Sequence, residues 1–283
     1  MWTEPTPTQL TAIAQSTSPD RLRRYRQVNQ GHNHRAVTLY LLDAALASQL
    51  HAHLRLVEVT LREHINRALE AVYGPRWYAP SARDPRTTPA GLGNTCRDMV
   101  SEATSALRRE YGRSPRAPQH ASQMPPGKMV AELMMGFWAK LLEEPSDANH
   151  AATLWVPALE AAFNDHRAPR TPRWTQPDAM HICKRLNWAR NRVNHCESVV
   201  FGFPQKGIKH GRKQLRLPPT LIVDNCRTLV GRFNPALEEW MRNTTDVDDL
   251  LSDAAVVAAW AHVENRGDVS TPATTPQHLW KTP

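Results

Sequence analysis

The chain has 283 residues, with 35 Lys and Arg against 27 Asp and Glu, a formal charge of +8 and 41% hydrophobic residues. This is the composition of a folded globular protein with one large or two small domains, and it excludes collagen-like, intrinsically disordered and disulfide-stapled classes. With 12 Gly and 23 Pro, the sequence is poor in the residue that builds phosphate loops and rich in the one that punctuates helices.

Residues 1–18 read as a flexible N-terminal segment. Ser18-Pro19-Asp20 is a helix start, with a capping residue ahead of proline at the first helical position. From His34 to Tyr73 there is no Gly or Pro, and Val37, Leu41, Leu46, Leu50, Leu54, Val57, Leu61, Ile65 and Leu69 recur at helical spacing. That pattern predicts one very long helix or two end to end, stopped by Gly74-Pro75. Further helices are predicted at 95–111, between Asn94 as cap and Gly112 as stop, and at 127–143, 150–164, 177–196, 219–232 and 235–243. A short helix follows Asp246. Residues 80–94, 113–125 and 165–176 read as loops, Val199 to Leu217 as a hairpin or extended loop, and 265–283 as a disordered tail. The fold class is all-α, with residues 19–243 as one helical domain and 244–264 as a C-terminal helical extension.

The cysteines, Cys96, Cys183, Cys196 and Cys226, show no Cys-x-x-Cys spacing and read as reduced thiols of a cytoplasmic protein. The opening MWTEPTPTQL lacks a signal-peptide pattern, and no stretch approaches ~18 uninterrupted apolar residues, so neither export nor a membrane span is expected.

From Phe163 to Leu217 twelve cations face three acids, an excess of nine that exceeds the whole chain's +8 and leaves the remainder at −1. A neutral body with one basic segment suits a polyanion, because phosphates supply most non-specific affinity. A solvated surface with a chance excess is the plainer alternative. Inside this segment lies NWARNRVNH, residues 187–195. At ~100° per residue, Ile182, Leu186, Ala189 and Val193 form an apolar stripe, while Asn187, Arg190, Asn191, Asn194 and His195 form a polar band. Each asparagine costs up to about 0.7 kcal/mol relative to alanine in a helix. Three of them point to a task outside the helix.

The run RNRVNH matches the Arg-polar-x-x-x-His signature of the HEPN superfamily, and the chain more narrowly resembles the Abi-like (abortive infection) family. RYRQVNQGHNHRAVTLYLLDAAL, LRLVEVTLREHINRALEAVYGPRWY, FWAKLLE, LWVPALEAAF and RNRVNHCES follow that family's order and spacing across residues 21–243. Cys196 and Ser198 stand where the family often has His and Pro. The resemblance implies a HEPN-type helical bundle with long N-terminal helices and a C-terminal helical extension. It also implies a metal-independent, cofactor-free endoribonuclease, a homodimer through the motif helix, serving as a toxin in abortive infection and phage defence. RNA is the implied substrate, with an antitoxin or noncoding RNA as a further partner.

On that reading His195 is the general acid/base, since imidazole exchanges protons near neutrality. Arg190 anchors the phosphate and its transition state, because guanidinium is a permanent forked cation. Asn191 orients the imidazole or the phosphate, with Asn194 and Asn187 in support. Arg190 and His195 lie ~140° apart around the helix, and a two-fold pairing of motif helices would bring two Arg/His sets into one cleft. The expected products are a 2′,3′-cyclic phosphate and a 5′-hydroxyl. Glu58 and Arg62, spaced i,i+4, are either a surface ion pair worth about 0.3–0.5 kcal/mol or, by the family likeness, a buttress of the motif helix. Arg192, Lys206, Lys209, Arg212, Lys213 and Arg216 are the RNA-binding candidates. The alternative function is a non-catalytic protein that holds a structured noncoding RNA in the same basic cleft. A structural alternative is a helix whose Arg and His merely complement its C-terminus.

Other signals are weaker. His32 and His34 suggest an H-N-H nuclease, but nothing nearby reads as strand. His51 and His53, like His181 and Cys183, point ~160° apart on their helices, so no metal site is expected. Trp138, Trp155 and Trp188 read as core, and Trp77 and Trp174, beside basic loops, as candidates for base stacking.

Overall fold

A computed structural model describes residues 3–81, 83–84, 86–112, 118–143, 151–165 and 171–276. Mostly helical, its described residues include one two-stranded antiparallel sheet. The helices are α1 (Pro7–Ser16), α2 (Pro19–Val28), α3 (Asn33–Tyr73), α4 (Asn94–Tyr111), α5 (Pro126–Glu132), α6 (Met135–Leu141), α7 (Glu160–Asn164) and α8 (Gln176–Asn194). After a hairpin of β1 (Phe203–His210) and β2 (Lys213–Leu217) come α9 (Pro219–Phe233), α10 (Pro235–Thr244), α11 (Val247–Ser252) and α12 (Ala254–Arg266).

Several boundaries follow directly from local chemistry. The Ser18 hydroxyl accepts the Arg21 N–H at 3.2 Å and Pro19 opens α2, as its sequence predicts. The long Pro-free stretch is one helix of 41 residues, and its apolar stripe is buried at Val37, Leu46, Leu50, Leu54, Val57, Leu61, Ile65 and Leu69, with Leu42 rather than Leu41 completing it. The cap of α4 is Gly93, one residue before the expected Asn94, and Gly112 ends it at φ +68°. The segment expected to be a flexible N-terminus contains α1, closed by a capping box between Thr6 and Gln9.

Three departures from the expected elements have physical causes. The helix predicted at 127–143 is two helices, α5 and α6, broken by extended residues Leu133 and Met134. The stretch Ala151–Leu159 is a π-helix rather than an α-helix and carries Pro157 inside it; proline has no N–H to donate and displaces the i−4 carbonyl, which favours the wider turn. Part of the tail expected to be disordered is ordered: Ser270 forms a parallel bridge to Leu215, and Ser270, Thr271 and Thr275 are buried. Its polar hydroxyls find partners there, as Ser270 Oγ and Thr275 Oγ1 lie 2.5 Å apart. The remainder of that tail, residues 277–283, and the cations Arg167 and Arg170 lie outside the described residues.

Contacts gather the chain into two compact units made of interleaved stretches. Among the described residues, unit 1 takes those of Met1–Leu54, Trp188–Arg227 and Trp240–Lys281, and unit 2 those of Arg55–Asn187 and Thr228–Glu239. Helices α3, α8, α9 and α10 contribute to both. The core of unit 1 contains Leu22, Tyr25, Phe201, Phe203 and Leu215, and Tyr25 meets Phe201 with ring centroids 5.2 Å apart. In unit 2, Trp77, Tyr78, Phe137 and Trp138 form one aromatic cluster, and Phe163, Trp174 and Phe233 a second. Trp77 and Trp174 are therefore core residues, 0% and 2% exposed, and not platforms for bases. Burial of each such side chain stabilises by about 1.5–3 kcal/mol.

Among the described residues, no helix is long and apolar enough to cross a membrane.

Candidate active site

The motif residues from Trp188 to His195 belong to unit 1. They occupy the last turns of α8, whose apolar stripe, Ile182, Leu186, Ala189 and Val193, is buried as the periodicity predicts. The helix stops at Asn194, two residues earlier than expected. Its end is a Schellman turn: Glu197 N–H bonds to Arg192 C=O at 2.9 Å and Cys196 N–H to Val193 C=O at 3.0 Å. Cys196 occupies the left-handed position that glycine usually fills, at φ +53°, a conformation that costs a non-glycine residue about 1–2 kcal/mol. His195 is the C-cap of this turn, and its side chain is exposed.

Three side chains hold the turn in place. Arg21 on α2 donates from Nη2 to the Cys196 carbonyl. Arg192 folds back to pair with Glu197 at 2.5 Å and to donate to the Ser198 carbonyl at 3.4 Å. Downstream, the N–H groups of Val199 and Val200 both donate to Oδ1 of buried Asp43 at 2.8 Å, and the Tyr25 hydroxyl donates to Oδ2 of the same carboxylate. Burial raises the Asp43 pKa, while these hydrogen bonds oppose the shift. The loop after His195 is thus fixed by a carboxylate from α3 and an arginine from α2.

Of the candidate catalytic residues, Arg190 is half-buried and its Nη1 lies 3.5 Å from Oδ1 of Asn191, itself half-buried. Asn194 is exposed. Asn187 lies in unit 2, where its side chain faces Gly136 at the start of α6. The same helix start explains Glu58 and Arg62. Glu58 Oε1 accepts the N–H of Met135 at 2.9 Å, and Arg62 Nη1 donates to the Ala131 carbonyl at 3.2 Å. One side chain caps the N-terminus of α6 and the other takes a carbonyl from the last turn of α5. Together they account for the break between those helices, since the orphan groups at helix ends need partners.

The RNA-binding candidates separate into two sets. Lys206, Lys209, Arg212 and Lys213 are exposed on the hairpin, whose two-residue connection, Gly211-Arg212, has Gly211 at φ +62°. Arg192 is engaged by Glu197, and Arg216 is only 9% exposed, donating to the carbonyls of Phe201 at 2.8 Å and Gly202 at 3.2 Å. The basic excess of residues 163–217 is accordingly not one exposed patch. Arg173 pairs with Glu160 at 3.1 Å, Lys184 with Glu143 at 2.8 Å, and Arg185 is buried.

Among the described residues, no group of three or more His, Cys, Asp or Glu side chains comes together to hold a metal ion. All four cysteines are free, and three are buried, Cys196 being the exposed one. No family model, no curated protein and no solved structure matches the chain.

Proposed function

We propose that the chain is a metal-independent endoribonuclease of HEPN type, acting in abortive infection or a related toxin system, with Arg190 and His195 as its catalytic pair. The observation that carries this reading is the setting of His195: an exposed imidazole at the C-cap of α8, on a turn held by Arg21, Arg192 and Asp43. A histidine placed only to complement a helix C-terminus requires no such support from two other helices. Rigid placement is what general acid/base catalysis demands.

In the proposed reaction, one His195 imidazole removes the proton of a ribose 2′-hydroxyl, and the 2′ oxygen attacks the adjacent phosphorus. The bond from phosphorus to the 5′ oxygen breaks, and a second, protonated imidazole returns a proton to that leaving oxygen. The products are a 2′,3′-cyclic phosphate and a 5′-hydroxyl. Arg190 stabilises the non-bridging oxygens as charge accumulates on them, and Asn191 holds the guanidinium or the phosphate. Two protomers, paired through their motif helices, supply the two imidazoles.

The exposed lysines and arginine of the hairpin favour a second reading, in which the protein holds a structured RNA without cutting it. Incubating wild-type and His195→Ala protein with total RNA in EDTA, and mapping the cut ends, separates the two. Cleavage by wild type alone, with cyclic-phosphate ends, is the expected result. Equal cleavage by both proteins overturns the assignment of His195, and salt-sensitive binding by both without scission supports the second reading.

A further inference from the structure

Four guanidinium groups from three distant parts of the chain line one cleft of unit 1. Arg23 and Arg24 come from α2, Arg216 from β2 and Arg266 from the last residue of α12; Gln27 and Asp268 complete the polar lining, in a volume of about 490 Å³. That is the size range of small-molecule sites.

The arginines are held by specific contacts. The Arg24 guanidinium lies over the Phe201 ring, 4.2 Å from its centroid. Arg216 is clamped by the carbonyls of Phe201 and Gly202. Arg266 pairs with Asp268 at 3.0 Å, across Gly267, whose φ of +71° lets the chain turn back. Past that turn, Arg216 N–H donates to the Ser270 carbonyl at 2.7 Å, and Ser270 N–H donates to the Gln214 carbonyl at 3.1 Å. This pairing fastens the Asp268 wall of the cleft to β2. One short turn, Phe201-Gly202, thus seats two of the four cations, and the ordered tail seats a third.

Among the described lining residues four cations face one acid; Arg216 is buried and Arg24 half-buried, whereas Arg23 and Arg266 are exposed. The strain shows in the side chains themselves. Burial, then Arg24 and Arg192, push the Arg216 pKa down to about 9, and burial followed by Arg266 and Arg192 lowers that of Arg24. Gathering like charges in this way opposes folding, whereas an anion in the cleft adds an attraction to each cation that offsets their mutual repulsion. Forked donors fixed at several angles suit phosphate oxygens. With Arg23 paired to Asp20 at 3.7 Å and Arg266 to Asp268 at 3.0 Å, the charges of Arg24 and Arg216 remain, and they match a dianion better than the single charge of an internal phosphodiester.

We propose that this cleft binds a phosphate monoester, a terminal phosphate gripped by Arg24, Arg216 and Arg266 with Arg23 at its mouth. The phosphate belongs either to a nucleic-acid 5′ end or to a small nucleotide. The site does not rest on the cleavage reading, since none of its residues belongs to the Arg190/His195 pair.

The test uses the full chain and probes that cannot be cleaved through a 2′-hydroxyl. Inorganic pyrophosphate is compared with sodium chloride at equal ionic strength by thermal shift in EDTA. In parallel, 2′-deoxy oligonucleotides with a 5′-phosphate or a 5′-hydroxyl are compared by fluorescence anisotropy. Wild type is expected to be stabilised by pyrophosphate and to prefer the 5′-phosphate oligonucleotide by about tenfold, and Arg24→Gln and Arg266→Gln to lose both responses. Lys209→Gln, on the exposed hairpin, is expected to weaken both oligonucleotides equally and keep the preference. A pyrophosphate response without an end preference supports the site and assigns it to a small phosphorylated molecule. Absence of both responses in wild type, or their persistence in both arginine variants, overturns the proposal.

Discussion

Asp43, on α3, accepts the main-chain N–H of Val199 at 2.8 Å, across 156 residues of sequence. The same carboxylate takes the Val200 N–H and the Tyr25 hydroxyl, so it joins α2, α3 and the loop that follows the motif. Replacing it by alanine strands two buried N–H donors and a phenol. Each unsatisfied buried group costs about 1–3 kcal/mol. Asp43→Ala is therefore expected to lower unfolding stability by about 3 kcal/mol or more, and Tyr25→Phe by about 1 kcal/mol, read from urea midpoints at unchanged slope.

Gly202 gives a sharper steric prediction. It sits at φ +73°, and a methyl group there meets the Trp260 ring and comes within 2.7 Å of the Leu217 carbonyl oxygen. Strain at positive φ and overpacking each cost about 1–3 kcal/mol, so Gly202→Ala should destabilise the protein by roughly 2–5 kcal/mol. Adding Trp260→Ala should recover only part of that loss, because the carbonyl is main chain. Full recovery in the double variant would contradict the geometry.

Two histidines give a pH response that the raised pKa of buried Asp43 opposes. His53 is 1% exposed, its Nδ1 lies 2.9 Å from the Gln49 carbonyl and its buried Nε2 has no hydrogen-bond partner among the described residues. Burial, with Arg227 nearby, lowers its pKa from 6.5, and burial with Arg185 and Lys184 lowers that of His181. The unfolded chain then binds protons that the native state does not. Stability from this source is complete above the ordinary histidine value and is lost as the pH falls through it towards the lowered native values. In thermal melts at pH 5 and pH 7.5, His53→Leu should lose less Tm on acidification than wild type.

At the motif, Arg190→Lys keeps a cation but removes the fork. The expected outcome is at least about tenfold slower RNA cleavage, with the salt dependence of RNA binding unchanged, because the number of phosphates neutralised is the same. A loss of RNA affinity that matches the loss of cleavage would make Arg190 a general binding residue instead.

Glu58→Ala removes the cap on α6 at Met135. A lost helix cap costs about 0.5–2 kcal/mol, and the variant should melt earlier by that amount while each folded molecule cleaves RNA within about twofold of wild type. A larger loss of turnover would give Glu58 a part in the site beyond supporting the α5–α6 junction.

Much of the fold is legible in the sequence, because proline and glycine mark helix ends and the apolar stripe of α3 repeats at the helical period. The polar band of α8 and the hairpin near 203–217 are visible on the same grounds. Other features depend on partners that sequence spacing cannot supply. The break at Leu133-Met134 arises from Glu58 and Arg62 on another helix. Arg216 reads as an exposed cation in a basic run, yet two carbonyls bury it. The arginine cleft is assembled from residues 24, 216 and 266, none of which has a local signature, and the polar tail holding Ser270 has the composition of a disordered segment.

The interleaved make-up of unit 1 has a consequence for synthesis on the ribosome. Its first stretch ends at Leu54 and its next begins at Trp188, so Asp43 and Tyr25 emerge long before the loop they anchor. At about 5–20 residues per second the wait is on the order of 10 s. The arginine cleft waits longer still, because Arg266 and the Ser270 bridge follow Val200 in the chain. A nascent chain that has reached Val200 holds every partner of the turn after RNRVNH while the cleft still lacks Arg266, so the motif turn can form before the cleft does.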